Sequence, residues 1–233
     1  MQEAYLAYVV QSDDHDTQVM VDDGGAVVGF LVLVPQAGHT WVDDLEVVDH
    51  GWWPMAARTV ADMLPVPWVT CVVRADTRRA KALRAAGAEV ASTYWARSLQ
   101  DHLIPADGRA AGVVDAPRPG ALPPAARHTF GPGPVDPAAP GALVVADDQH
   151  GIAVGSPGIE PPLYDPGGPT CVVDRLGGPD RGDLLDRVLD VVAARGDAAM
   201  IVVADAAEPQ LADLLAEHGF RPEVDLLGIG LDD

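Results

Sequence analysis

The order of elements in this chain is written twice, and any fold must accommodate both copies. In the first half, the apolar run TQVMV leads through Asp22-Asp23-Gly24-Gly25 into a second run, AVVGFLVLV. The four turn residues tolerate the positive φ of a tight hairpin. TWVDDLEVV reads as a third strand, Pro54 to Leu64 as a helix and WVTCVVRA as a fourth strand. DTRRAKALRAAG is a second helix, with Asp76 as N-cap and Gly87 just past its end, and EVASTYWARSL is a terminal strand.

The second half repeats this order. ALVVADDQHGIAVG matches the hairpin QVMVDDGGAVVG, and PTCVVDRL matches TWVDDLEVV. GDLLDRVLDVVAARG carries Leu184, Leu185, Val188, Val191 and Val192 at helical spacing. AAMIVVAD, AEPQLADLLAEHGF and VDLLGIGL complete the series as strand, helix and strand. A repeat of this scope points to duplication of a whole domain rather than to a solenoid, whose repeats run about 20–50 residues.

Between the copies, residues 104–141 are dense in proline and glycine, which resist long helices and central strands. The expected organisation is therefore a first module over 1–103, a linker merging into the start of a second module over 104–141, and the second module over 142–233. Two segments are candidates for the opening elements. QEAYLAYVVQSDD can form one helix with Tyr5, Leu6, Val9 and Val10 as its apolar face, and residues 112–128 can supply a short strand and helix.

The formal charge of −20 repels phosphate backbones and argues against a nucleic-acid partner. It would attract cationic amines. The better-supported reading is a composition bias or tuning for solubility in salt, since Lys81 is the only lysine. No apolar stretch approaches the roughly 20 residues of a membrane helix, and the start of the chain has no basic region of the signal-peptide kind. A cytoplasmic protein is expected. Cys71 and Cys171 each sit inside an apolar run and belong to no metal-ligand spacing, so both are expected as buried thiols.

The segments CVVRADTRRAKALRAAGAEV and IVVADAAEPQLADLLAEHGFRPEV resemble the carboxy-terminal signature of the GNAT acyltransferases. There a strand runs into a helix that ends in a Gly-Phe-like pair, followed by the last strands. The hairpin with Val27, Val28 and Gly29 also resembles this family. The resemblance covers about residues 17–100 and 142–231. It implies an α/β fold of tandem GNAT-like modules, each a mixed, mostly antiparallel sheet with flanking helices. It also implies acetyl-CoA as acyl donor and a small-molecule or peptide amine, cationic in solution, as acceptor.

In the family, the donor lies where two parallel strands splay apart. One strand's backbone, here Val47 and Val48, holds the pantetheine arm. The following loop cradles the pyrophosphate at a helix N-terminus, a sound use of its amides and dipole. The matching loops contain Gly51 in the first module and Arg175, Gly177, Gly178, Arg181 and Gly182 in the second. Both depart from the family pattern. The first carries Asp49, Trp52 and Trp53; the second carries Asp180 and Asp183, and its alternative reading is a plain helix start capped by Asp180. The family's tyrosine acid is replaced by Leu83 and Leu215, which leaves water or Tyr94 as substitutes.

Acyl transfer to an amine needs a general base, often a carboxylate. Simple alternation on TWVDDLEVV places Val42, Asp44 and Glu46 on one face and Trp41, Asp43, Leu45 and Val47 on the other. Glu46 stands where the family often carries a catalytic glutamate, with Asp44 as its assistant; the alternative is a solvated strand end. Asp76 and Asp205 follow the fourth strands, where the family often orients substrate, and both also fit as helix caps. His39 and His50 are expected near the same cleft; the alternative for each is a surface loop position. Adjacent Trp52 and Trp53 suggest that one indole lines a pocket or an interface between modules, because two neighbours do not easily enter one core; the alternative is that both simply pack. The two functional readings are an N-acyltransferase and a non-catalytic tandem module with a binding or regulatory role.

Overall fold

The computed structural model describes residues 16–36, 38–102, 136–146, 151–158 and 166–231. The helix expected near Tyr5 to Val10 and the opening elements expected over 112–128 lie outside the described residues. In chain order the elements are β1 (Asp16–Val21), β2 (Val27–Gln36), β3 (His39–Val47), a 3-10 turn (His50–Trp52), α1 (Trp53–Met63), β4 (Trp68–Val73), α2 (Thr77–Ala85) and β5 (Glu89–Ser98). They continue as β6 (Leu143–Ala146), β7 (Ile152–Pro157), β8 (Thr170–Gly177), α3 (Arg181–Ala194), β9 (Ala199–Asp205), α4 (Pro209–Glu217) and β10 (Arg221–Ile229).

These elements form two compact units, Met1–Ala91 with Glu223–Asp233, and Ser92–Pro222. In the first unit β1, β2 and β3 are antiparallel neighbours, β3 runs parallel to β4, and β10 closes the sheet antiparallel to β4. In the second, β6, β7 and β8 are antiparallel neighbours, β8 runs parallel to β9, and β5 closes the sheet antiparallel to β9. The same strand order therefore occurs twice. It differs from the expected halves in one respect: each unit takes its closing strand from the other half of the sequence.

Local chemistry explains the elements. In the first hairpin, Asp22 Oδ1 accepts from the amides of Gly24 and Ala26, both at 2.9 Å, and Gly25 takes φ 81°. That conformation is open to glycine and strained for residues with a Cβ. Asp76 caps α2 by accepting from Arg79 N at 3.0 Å, and Gly87 follows the helix at φ 100°. Both features match the sequence reading.

Each unit has its own core. In the first, α1 buries Trp53, Ala56, Ala57 and Val60, spaced to form one helical stripe. They pack against Val42, Leu45, Trp68, Leu83 and Leu227. Trp52 is half-buried against the same cluster, so both tryptophans pack in this core, the alternative open to them from the sequence. In the second unit, α3 buries Leu184, Leu185, Val188, Leu189 and Val192 against β8, β9 and α4. No helix among the described residues is long and apolar enough to cross a membrane.

The cysteines lie on strands, as expected. Cys171 is buried and Cys71 is partly exposed at the residue level, with its thiol side packed near Trp41 and Val69. Burial pushes both thiols up to about 12. Because the thiolate is the reactive form, native protein at pH 7–8 should react with a thiol reagent only on the timescale of unfolding. Timed labelling followed by mass spectrometry checks this; rapid native labelling of either cysteine would contradict the strand placement.

Candidate active site

The central feature of the first unit is a parallel strand pair that opens. β3 and β4 pair through Thr40–Trp68, Trp41–Val69 and Val42–Thr70. β3 then continues to Val47 and β4 to Val73 without further pairing between them. The register of β3 against β2 shifts between Val32 and Leu33, leaving Asp43 as the extra residue between Val42 and Asp44. Such a bulge bends its strand and raises the local twist, which gives a physical cause for the parting of β3 from β4.

The bulge also corrects the expected faces. Val42, Leu45 and Val47 all pack toward the main core, although simple alternation separates Val42 from the other two. Trp41 lies in the smaller cluster with Val69 and Leu226, and its Nε1 donates to Asp43 Oδ1 at 3.1 Å. Asp44 and Glu46 share a face, as expected, but Val42 is not on it. Both acids are half-buried.

Arg79 of α2 completes this group, and the sequence reading missed it. Its Nη2 donates to Thr70 Oγ1 at 3.1 Å, and its guanidinium lies 5.7 Å from the centre of the Trp53 ring. The available signal was Leu83, four residues on, because positions i and i+4 share a helix face and Leu83 faces the core. Burial raises the Asp44 carboxyl above its ordinary range, against the pull of Arg79. Glu46 is raised first by burial and then by the charge of Asp44, while Arg79 and His50 pull it down.

The stability consequence has a definite sign. A carboxyl raised in the folded chain binds its proton more tightly there than when unfolded. Stability therefore falls as pH rises from the ordinary value of about 4 through the raised value, and the loss persists above it. Asp44→Asn cannot ionise, so it should raise Tm at pH 7. The gain should fade as pH approaches about 4. Thermal melts across this range check the sign; an Asn variant that is less stable at pH 7 would contradict it.

The other candidates are placed as follows. Asp76 is the cap of α2, and its charge acts on Glu46. Val47 is half-buried; Val48 is exposed, with its amide donating to Val28 O at 3.0 Å. The amide of Gly51 donates to Asp49 Oδ1 at 2.7 Å. Leu83 and Leu215 are fully buried and offer no proton donor. Tyr94 lies on β5 opposite Val203, in the second unit.

The second unit repeats the opening without the acids. β8 and β9 pair through four residue pairs, from Thr170–Ala199 to Val173–Val202. A register shift between Val154 and Gly155 makes Asp174 the extra residue. Asp174 thus corresponds to Asp43, Arg175 to Asp44 and Gly177 to Glu46. Beyond it, Gly178 takes φ 148° against the backbone of Gly151, where a Cβ would approach to 2.5 Å. Arg181 Nη1 pairs with Glu208 Oε2 at 2.8 Å, and Asp180 accepts from Asp183 N at 3.1 Å. Gly182 packs near Leu214 and His218.

These observations test the fit of acetyl-CoA. The parted strands suit an extended thioester arm. The helix starts do not suit its diphosphate: Asp49 occupies the Gly51 amide, Asp180 occupies the Asp183 amide, and a phosphate approaching either would meet a carboxylate. Among the described residues, no three His, Cys, Asp or Glu side chains form a metal-holding group.

No family model matches the sequence, and no curated protein matches it. Solved structures do resemble the fold. A GCN5-related N-acetyltransferase from Sphaerobacter thermophilus aligns with TM-score 0.51 and 14% identity over 98% of this chain and 84% of its own. A GNAT-family acetyltransferase from Colwellia psychrerythraea aligns with TM-score 0.52 and 10% identity over 91% and 84%. The glucosamine N-acetyltransferase region of a fungal multi-domain β-N-acetylglucosaminidase aligns with TM-score 0.55 and 12% identity, over 98% of this chain and 34% of the larger protein. At such identities a likeness speaks for architecture alone. With its doubled strand order and parted parallel strands, this chain has the GNAT acetyltransferase fold.

Proposed function

We propose that the chain is a cytoplasmic, acyl-CoA-dependent N-acyltransferase acting on a small-molecule or peptide amine, with its chemistry in the first unit. The observation that carries this reading is the pair Asp44 and Glu46, half-buried carboxylates on β3 where it leaves β4. When bound, acetyl-CoA would supply the acyl group as an activated thioester. The residues supply the base. An alkylamine is protonated at neutral pH, and Glu46 accepts that proton so that the nitrogen lone pair becomes available. A raised carboxyl is the stronger base, and the charge of Asp44 helps to keep Glu46 raised. Arg79, held by Thr70, limits the repulsion between the two acids.

The corresponding positions in the second unit, Arg175 and Gly177, offer no such base, which favours the first unit as the working one. The internally capped helix starts favour the second reading, a non-catalytic tandem module. An assay for free thiol released from acetyl-CoA separates the two. Its acceptors are a polyamine, an amino sugar and a peptide amine. Amine-dependent release supports the proposal; release no faster than in buffer with every acceptor class supports the non-catalytic module.

A further inference from the structure

The chain's only lysine lines a cavity of about 310 Å³ between α2, the end of β4 and β10, within the first unit. The cavity is also lined by Arg74, Thr77, Arg84 and Asp225. Asp44, Glu46 and Arg79 are not among its lining residues, so it is separate from the acid pair on β3. The Asp225 carboxylate is buried, with Arg84 Nη2 at 3.1 Å and Arg74 Nε at 3.6 Å from the same oxygen, Oδ2. Both arginine side chains are about half exposed at the cavity.

The charge here runs against that of the molecule. Three cations face one carboxylate among the lining residues, in a chain whose formal charge is −20. A guanidinium carries five N–H donors in a planar fork, and each of these two directs one nitrogen at Asp225. Asp225 therefore orients the two forks without neutralising the group, and the exposed Lys81 adds an ammonium. Planar forks with a neighbouring point charge match phosphoryl oxygens in geometry and sign. The volume falls at the lower end of small-molecule sites, about 300–1,000 Å³. The general negative field opposes an approaching anion, but at physiological salt it is screened over about 8 Å, and the nearest charges decide.

We propose that this cavity binds the phosphate group of a small phosphorylated molecule, with Arg74, Lys81 and Arg84 as its ligands. The phosphate source is either a free metabolite or a phosphate of CoA itself, and the test separates them. Lys81 makes the test direct, because its amine is the only lysine amine in the chain. The full-length protein is treated with a limiting amine-reactive ester, and modification of Lys81 is followed by peptide mass spectrometry. Inorganic phosphate should slow this modification saturably, while chloride at matched ionic strength should not. Calorimetric titration with inorganic phosphate should show one site, weakened about tenfold in Lys81→Gln, as expected for loss of one charge-assisted contact.

Lys81 is exposed, so the substitution should leave the fold intact; a melt of the variant checks that. Phosphate binding retained in the presence of saturating CoA supports the site with a free metabolite as its source, and binding lost there supports the site with CoA as its source. Phosphate that neither protects Lys81 nor binds saturably would overturn the proposal, as would equal affinity in wild type and Lys81→Gln.

Discussion

Glu46→Gln should lower kcat/KM by about 10²–10⁴, the usual cost of removing a general base, and leave acetyl-CoA affinity nearly unchanged. Gln keeps the shape of Glu46 and loses its capacity to accept a proton. The pH profile gives a second, independent sign. A raised base places the acidic limb of kcat/KM above the ordinary glutamate value of about 4.3. Asp44→Asn removes a charge that raises Glu46, so it should move that limb to lower pH. Asp205→Asn, at the end of β9 in the second unit, should change turnover far less. Steady-state rates across pH check all three variants. Full turnover in Glu46→Gln would remove Glu46 from the mechanism.

Trp68→Ala should destabilise the protein by about 3–5 kcal/mol, the range for deleting a large buried aromatic side chain. Trp68 is fully buried in the first core, and its backbone starts the pairing of β4 with both β3 and β10. The comparison with Trp68→Phe adds detail. The buried indole N–H has no hydrogen-bond acceptor among the described residues. Phe keeps most of the apolar contact and removes a donor that is costly to bury alone. Its cost in urea unfolding should therefore be well below that of Ala. Equal losses in the two variants would contradict this, because the ring common to Trp and Phe would then contribute nothing.

The strands, helix faces and turns of this fold were legible because their causes are local. Asp22 and Gly25 declare the first hairpin, Asp76 and Gly87 bracket α2, and the apolar spacing from Leu184 to Val192 fixes the buried face of α3. The partner of each closing strand was not legible. β5 and β10 both read as strands, but periodicity specifies a strand's faces and says nothing of which neighbour it joins. The exchange of β5 and β10 is decided by long-range pairing, with Trp95 opposite Val202 and Leu226 opposite Cys71.

The candidate site shows the same division. Asp44 and Glu46 could be picked out by their chemistry on an apolar strand. The bulge at Asp43 could not, because an extra residue inside Asp43-Asp44 leaves no mark in the sequence. Its effect was to carry Val42 away from the face assigned to it. Arg79 looked like Arg78 and Lys81 on either side. Only the packing of α2 turns it toward Thr70 and Trp53.

The central claim is that the first unit's parted strands receive an acyl-CoA thioester beside the Asp44–Glu46 base pair. Calorimetric titration of the full-length protein with acetyl-CoA tests this most directly, with Glu46→Gln titrated alongside. The account predicts one saturable site per chain, of similar affinity in both proteins. The absence of saturable binding to wild type would contradict the claim and leave the non-catalytic module as the reading of this fold.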